Sequence, residues 1–313
     1  MRQLGNKVIR LLVVLALLTV ASFLSIRMLP GDPAELLAFG ADKAKIEEVR
    51  IDLGLRDPLP AQYGKWVSQF VTGDFGKYYR SKGGTPNEKV LKGLPISITL
   101  MIYTQIVALV IAIPLGVITA YRANSVFDKG SNIGAFLALS IPGFVIAYLL
   151  KKYFALDHDW LPDSGWVPIS ESVPEHFTHV VLPVATLVLS QIAVYFRLLR
   201  SDMIGTLQED FITMAKAKGL KPRRILFRHA LRPSSLTLLT VAGLNVGTLI
   251  GNAVIVENIF RIPGMGYNIV EGVFQREYVA TQSFIAIVAI LFVLINFLVD
   301  FLYTIIDPRI RYG

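Results

Sequence analysis

Six stretches of this chain stay apolar for about eighteen residues or more, enough for a helix to cross the hydrocarbon core of a bilayer at 1.5 Å per residue. They cover residues 8–28, 95–121, 133–150, 180–199, 235–256 and 283–306, and each is expected to be one membrane-spanning helix. Between the first two lie about sixty-five residues of mixed polarity. There Ile46, Val49 and Leu53 recur at helical spacing within KIEEVRIDLGLRDPLPAQYGKWVSQF, residues 45–70; Gly54 supplies a stop, and Pro58 and Pro60 forbid continuation. Residues 29–94 therefore read as a small external subdomain. Residues 151–179, rich in Asp, Pro, Ser and Trp, read as a second external loop.

Composition agrees with this pattern. Apolar residues make up 53% of the 313, charged residues 17%, and mean hydropathy is +0.55, outside the balance of a soluble globular chain. The first run starts with Arg2, Lys7 and Arg10, yet no small-residue cleavage pattern closes it, so residues 1–28 are read as a retained helix rather than a leader. With six spans, both termini share a side. Counting Arg10 and Arg197 at neighbouring span ends, sixteen Lys and Arg lie in the terminal segments, the loop after Tyr121 and the loop around residues 200–234, against four (Lys151, Lys152, Arg261, Arg276) in the short loops opposite. The excess of positive charge makes the first side, and both termini, cytoplasmic. The net charge of +8 is mostly a property of that face and fits an anionic membrane or protein partner there. With no cysteine, disulfides and thiolate metal sites are excluded.

Ion-coupled carriers keep carboxylates near the bilayer centre, and the span interiors here carry none. Arg197, Glu257 and Asp300 fall near span ends, where long side chains are expected to reach the interface. In the fifth span Gly243, Gly247 and Gly251 form a GxxxGxxxG stripe for close helix approach, while Asn245, Thr248 and Asn252 cluster on another face. Those three, with Gln105 and Gln191 in the second and fourth spans, are either interhelical hydrogen bonders or the lining of a translocation pathway. No HExxH, no GxSxG and no aspartate pair within a span supports an enzyme. His176 and His179 stand three apart at the outer edge of the fourth span, where interfacial histidines are expected. GDFGKY, residues 73–78, lacks the spacing and the Ser or Thr of a phosphate loop, so the chain is expected to bind no ATP and no metal.

The most unusual segment is MAKAKGLKPRRILFRHALRPS, residues 214–234, with seven lysines and arginines and no acid. Residues 206–217 favour a helix carrying Phe211, Met214 and Ala215 along one side; Gly219 suits a left-handed stop, and Pro222 opens a second helix with Ile225, Leu226, Ala230 and Leu231. Orientation rules account for the charge but not for small residues and a glycine break inside it. A docking platform for a cytoplasmic partner accounts for both. Base-stacking aromatics are not interleaved there, which disfavours nucleic acid.

TMAKAKGL, residues 213–220, resembles the loop of membrane subunits of binding-protein-dependent ABC importers, which carry a Glu-Ala-Ala, three residues, Gly pattern. Gly219 matches the glycine and Ala215 the second alanine, while Thr213 and Met214 stand at the Glu and first Ala; HALRP, residues 229–233, follows with an extra arginine. LPGDPAELL, LGLRDPLPAQYGKW, TGDFG, LPISITL, IPGFV, VENIFRIPGMG and the closing FLVDFLYTIIDPRIRYG are similar, in order and spacing, to the first of the two permease subunits of the dipeptide/oligopeptide/nickel group. The resemblance implies an all-α, six-helix type I importer fold with its permease core over residues 95–306 and a cytoplasmic tail, residues 307–313. It further implies a prokaryotic inner-membrane protein that imports small peptides handed over by an extracytoplasmic binding protein. Its partners would be a second homologous permease subunit and one or two ATP-binding subunits that carry the ATP and Mg. Met214, Ala215, Lys216, Ala217, Lys218, Gly219, Leu220, Pro222, Arg223 and Arg224 would form the coupling helix that docks on the ATPase.

Overall fold

The computed structural model describes residues 2–28, 32–38, 40, 42–79 and 84–306, and these are helical and irregular with no strand among them. The helices are α1 (Arg2–Arg27), α2 (Pro33–Leu37), α3 (Lys43–Asp52), α4 (Leu59–Val71), α5 (Pro86–Tyr121), α6 (Val126–Ser140), α7 (Gly143–Leu150), α8 (Val173–Thr206), α9 (Asp210–Ala217), α10 (Pro222–Arg224), α11 (Leu231–Ile259), α12 (Met265–Phe274) and α13 (Tyr278–Ile306). Wide π turns follow α7 at Lys151–Asp157 and α10 at Ile225–Ala230. Residues 29–31 of the LPGDP motif and the tail 307–313 lie outside the described residues. The chain packs as two units, Met1–Ser97 with Pro263–Phe297, and Ile98–Ile262 with Leu298–Gly313.

Among the described residues four helices are long and apolar enough to cross a membrane: Pro86–Tyr121, Val173–Thr206, Pro222–Ile259 and Tyr278–Val299. The stretch 133–150, expected as one span, is instead two helices bent by 99°. Pro142 causes the break. It forces Ile141 into extended geometry (φ −92°, ψ 124°) and brings no N–H for the preceding turn. Taken as one broken span, the pair makes a fifth candidate. In α1 the apolar portion, Val8–Leu24, is shorter than the expected 8–28.

In the first unit the short helices are set by local capping. Asp32 accepts the Ala34 N–H at 2.9 Å to start α2, and Asp42 accepts the Lys45 N–H at 2.9 Å to start α3. Gly54 (φ +63°) turns the chain after α3, as its place in the sequence implies. Pro58 and Pro60 then open α4 rather than only closing what precedes. Three small clusters hold the unit: Ala34, Ala38 and Val49; Val90, Met265, Ala280 and Phe284; and Phe23, Trp66 and Ala286.

The second unit is built around α8, whose Tyr195, Phe196, Leu199 and Met203 are fully buried. In lipid, burial of apolar surface gives helices little reason to associate, so close approach of small residues carries the packing. On α5 Ala108, Ala112, Gly116 and Ala120 recur every fourth residue, and a Cβ on Gly116 would lie 3.1 Å from Leu199. Of the glycine stripe on α11, Gly243 is pressed against Val299, leaving no room for a methyl group, whereas Gly251 is exposed with nothing near it.

Of the three residues expected at the interface, Glu257 is placed otherwise, Arg197 keeps partial exposure, and the side chain of Asp300 lies outside the described residues. Glu257 is 1% exposed rather than reaching outward. Arg197 is half-buried and lays its guanidinium over the Phe136 ring, 4.1 Å from the centroid. Residues 151–179, expected as a loop, are helical at both ends, with irregular structure confined to residues 158–172.

Candidate functional site

The basic segment folds as the spacing of its small residues and proline implies. From the end of α8 the chain turns through residues 207–209 into α9, which begins with Asp210 in its first turn, where the helix dipole favours an acid. Four residues later than expected, this start makes α9 a short helix. Its buried side is Ile212 (0% exposed) and Ala215 (6%). The expected apolar side of Phe211, Met214 and Ala215 is thereby corrected at two positions: Phe211 and Met214 are 45% and 58% exposed, because the helix buries Ile212 beside Ala215 instead.

Gly219 (φ +73°) ends α9 in a Schellman motif. Its N–H donates to the Lys216 carbonyl at 2.9 Å, and the Leu220 N–H reaches back to the Ala215 carbonyl at 3.3 Å. A Cβ at this position would meet nothing within 4 Å, so backbone conformation, not space, calls for glycine. Lys221 is extended, Pro222 occupies the first turn of α10, and Arg223 and Arg224 are exposed. Ile225, Leu226 and Ala230 are buried in the π turn, and Leu231 is half-buried at the start of α11. The Thr206 and Ser234 hydroxyls, 2.8 Å apart, pin the two ends of the segment.

The outward side of this helix–turn–helix carries Met214, Lys216, Ala217, Lys218, Gly219, Lys221, Pro222, Arg223 and Arg224, all exposed. None of its lysines or arginines pairs with a carboxylate among the described residues. Behind it, a cavity of about 440 Å³ is walled by Tyr121, Leu207, Leu220, Ile225 and Leu226 among others. An exposed, unneutralised positive surface flanked by the exposed side chains of Phe211 and Met214, on a frame anchored at both ends, can receive an acidic, partly apolar partner.

That anchoring includes a pair absent from the sequence reading. Asp128, 2% exposed in the first turn of α6, takes Arg200 Nε at 2.5 Å and Nη2 at 2.6 Å. It also receives the Asn124 N–H at 2.8 Å and Asn132 Nδ2 at 2.9 Å. Two polar residues 72 positions apart give no sequence signal of a partnership. Two fixed points of α8, this ion pair and the Thr206 hydroxyl, precede α9.

The polar residues of the spans divide. Gln105 on α5 donates to the Ala242 carbonyl at 3.3 Å and accepts the Tyr195 hydroxyl at 3.1 Å, and Asn245 on α11 is half-buried. Gln105 thus joins α5 to α8 through Tyr195 and to α11 through Ala242; sequence reasoning missed Tyr195 because a tyrosine in an apolar run carries no polar signature. Thr248 bonds its own helix at the Asn245 carbonyl (2.9 Å) and is exposed, as is Asn252. Gln191 is buried in α8. His176 is buried between the Val167 carbonyl at 2.7 Å and the Tyr103 hydroxyl at 3.1 Å, and His179 Nδ1 lies 2.8 Å from the Glu175 carbonyl.

Residues 112–312 match the family model described as binding-protein-dependent transport system inner membrane component, and residues 1–84 match the model of the N-terminal part of such membrane components. The chain is 36% identical to Sinorhizobium fredii y4tP, named as probable peptide ABC transporter permease protein, over 98% of each chain. It is 36% identical to the oligopeptide transport system permease protein AppB of Bacillus subtilis over 94% of each. With the dipeptide transport system permease protein DppB of Alkalihalophilus pseudofirmus the identity is 34% over 98% of each.

Proposed function

This chain belongs to the family of binding-protein-dependent transport system inner membrane components, and from that premise we propose that it is a permease subunit of an ATP-driven importer of small peptides. The observation that carries this reading is end-to-end similarity, at a third or more of positions, to proteins named as permeases of peptide, oligopeptide and dipeptide systems. Membership in the family and several apolar spans make it a multi-pass protein of the inner membrane and not itself an enzyme.

The finer features of the proposal follow. The chain has six spans, α1 and the broken α6–α7 pair included, both termini are cytoplasmic, and residues 29–94 form an external subdomain that helps receive the binding protein. The exposed side of residues 214–224 docks on an ATP-hydrolysing subunit, which carries the ATP and Mg; a second, homologous permease subunit completes the pathway. Support for the docking role comes from its rigid glycine-terminated frame and its unpaired positive charge. Asn252 and Thr248, exposed on α11, are the better pathway candidates. Gln105 is already engaged between helices, Asn245 is half-buried, and Gln191 is buried.

The coupling follows from elementary linkage. ATP closure can drive the permease between two states only if its grip on residues 214–224 differs between them. Purification of the tagged chain in mild detergent, with mass spectrometry of its stoichiometric companions, tests the assembly. A second six-span chain and one or two P-loop ATPases are expected; recovery of a well-folded chain alone would contradict the docking role.

A further inference from the structure

The second half of the basic segment carries charge that docking through residues 214–224 leaves unused. There α10, the π turn and α11 run as one helix, Pro222–Ile259, of 38 residues. At 1.5 Å per residue it is about 57 Å long, against a hydrocarbon core of about 30 Å, so it reaches well outside the membrane. Near its start the side packed into the protein is Leu226, Ala230 and Ser234, which are 9%, 0% and 3% exposed, with the Ser234 hydroxyl held at Thr206. Two residues before each of these stand Arg224, Arg228 and Arg232, about 200° around the helix. All three are exposed, and none pairs with a carboxylate among the described residues.

Depth separates these arginines. The long apolar part of the helix begins at residue 235. Counted back from there, the backbone of Arg232 lies about 5 Å outside the hydrocarbon, that of Arg228 about 10 Å and that of Arg224 about 16 Å. The headgroup layer of one leaflet is about 5–7 Å thick. Arg232 therefore falls within it, and Arg228 reaches back to it along its flexible stem. Arg224 lies beyond, beside the docking platform. Residues four apart on a helix are neighbours, with Cβ atoms about 5–6 Å apart, so the guanidinium groups of Arg228 and Arg232 can close on one phosphate, whose oxygens their planar forks match.

We propose that Arg228 and Arg232 bind the headgroup phosphate of an anionic phospholipid in the leaflet from which this helix emerges. Depth and charge together select that occupant: an acidic protein surface would have to enter the headgroup layer and displace lipid to reach Arg232, whereas an anionic lipid is already there. The bound lipid neutralises both cations. It also fixes the height of the helix end above the bilayer, and with it the platform that begins at Arg224. The proposal rests on α11 crossing the membrane and not on the importer reading.

The test uses the full-length chain with Trp66→Phe, Trp160→Phe and Trp166→Phe, which removes its three tryptophans, and with Leu239→Trp as the reporter. Leu239 is 47% exposed and, seven residues on from Arg232, lies on the same side of the helix just inside the hydrocarbon. The chain is placed in phosphatidylcholine bilayer discs in which about one lipid in ten is chain-brominated phosphatidylglycerol or, in parallel, chain-brominated phosphatidylcholine. Each cation near an anionic surface favours it about five-fold, so the brominated phosphatidylglycerol is expected to quench the reporter at least two-fold more than its zwitterionic counterpart. Arg228→Gln with Arg232→Gln is expected to make the two lipids equal, while Arg224→Gln leaves the preference unchanged. Sodium chloride at about 1 M, where charges are screened beyond about 3 Å, is expected to at least halve the preference. That comparison changes neither arginine, so it stands if the double variant fails to fold. Equal quenching by the two lipids with both arginines present would overturn the site, and so would a preference that survives the loss of both, ignores salt or vanishes with Arg224→Gln alone. No transport or partner subunit enters the readout, so failure here leaves the importer reading standing.

Discussion

At the scale of single residues, Gly219 decides the course of the basic loop. A left-handed φ costs an L-residue about 1–2 kcal/mol, and proline, fixed near −65° and lacking the N–H that reaches Lys216, cannot adopt it at all. Gly219→Ala should therefore lower uptake partway, and Gly219→Pro should leave the protein in the membrane and remove uptake. Immunoblots of membrane fractions beside uptake of a labelled dipeptide check this; wild-type uptake by Gly219→Pro would contradict the docking assignment. For the Asp128–Arg200 pair, Asp128→Asn strips a half-buried guanidinium of its carboxylate. Breaking a fully buried pair typically costs about 3–5 kcal/mol, and the partial exposure of Arg200 makes the cost smaller, so thermal unfolding of the full-length chain in detergent should begin at a lower temperature. Asp52 gives a pH dependence. Burial pushes its carboxyl up, but the Tyr79 hydroxyl and Lys77 together hold it below the usual carboxylate range. A depressed folded value contributes stability above the unfolded value of about 3.9, and this is lost as pH falls through the folded one. Tryptophan emission should report loosening of the first unit in that acid window, with Asp52→Asn already loosened at pH 7 and changing less below it, the remainder belonging to Asp32, whose carboxyl is depressed too.

The helices differ in how much of each the sequence discloses. Long apolar runs disclose α5, α8, α11 and α13, because a run of about twenty apolar residues has few other uses. Gly219 and Pro222 disclose the turn between α9 and α10, because their backbone restrictions are intrinsic. Composition hides the break at Pro142, since an apolar run reads alike whether straight or bent. It also hides the buried side of α9. With Ile212, Met214, Ala215 and Phe211 all apolar, periodicity over one short helix does not select among faces, and tertiary packing chose Ile212 and Ala215. The candidate pathway was legible only as a set of polar residue types, because their partners, Tyr195 above all, come from other helices. Phe211 and Met214 therefore face outward. Alanine at both is expected to leave the unfolding temperature within about a degree, as exposed substitutions usually do, while at least halving the ATPase subunit recovered with the tagged chain. Unchanged recovery would move the contact elsewhere on the loop.

For the whole molecule, family membership and similarity over nearly the full chain converge with a basic, rigidly terminated loop on one role, that of a peptide importer's permease. An ion-coupled carrier remains the contrasting mechanism, and it differs in its source of energy. The decisive measurement is uptake of a labelled dipeptide into proteoliposomes that contain this chain with its permease, ATPase and binding-protein partners, with and without ATP inside the compartment that holds the ATPase. Uptake that requires ATP and the binding protein, and survives an uncoupler, is the predicted result. Uptake indifferent to ATP and abolished by the uncoupler would contradict the account.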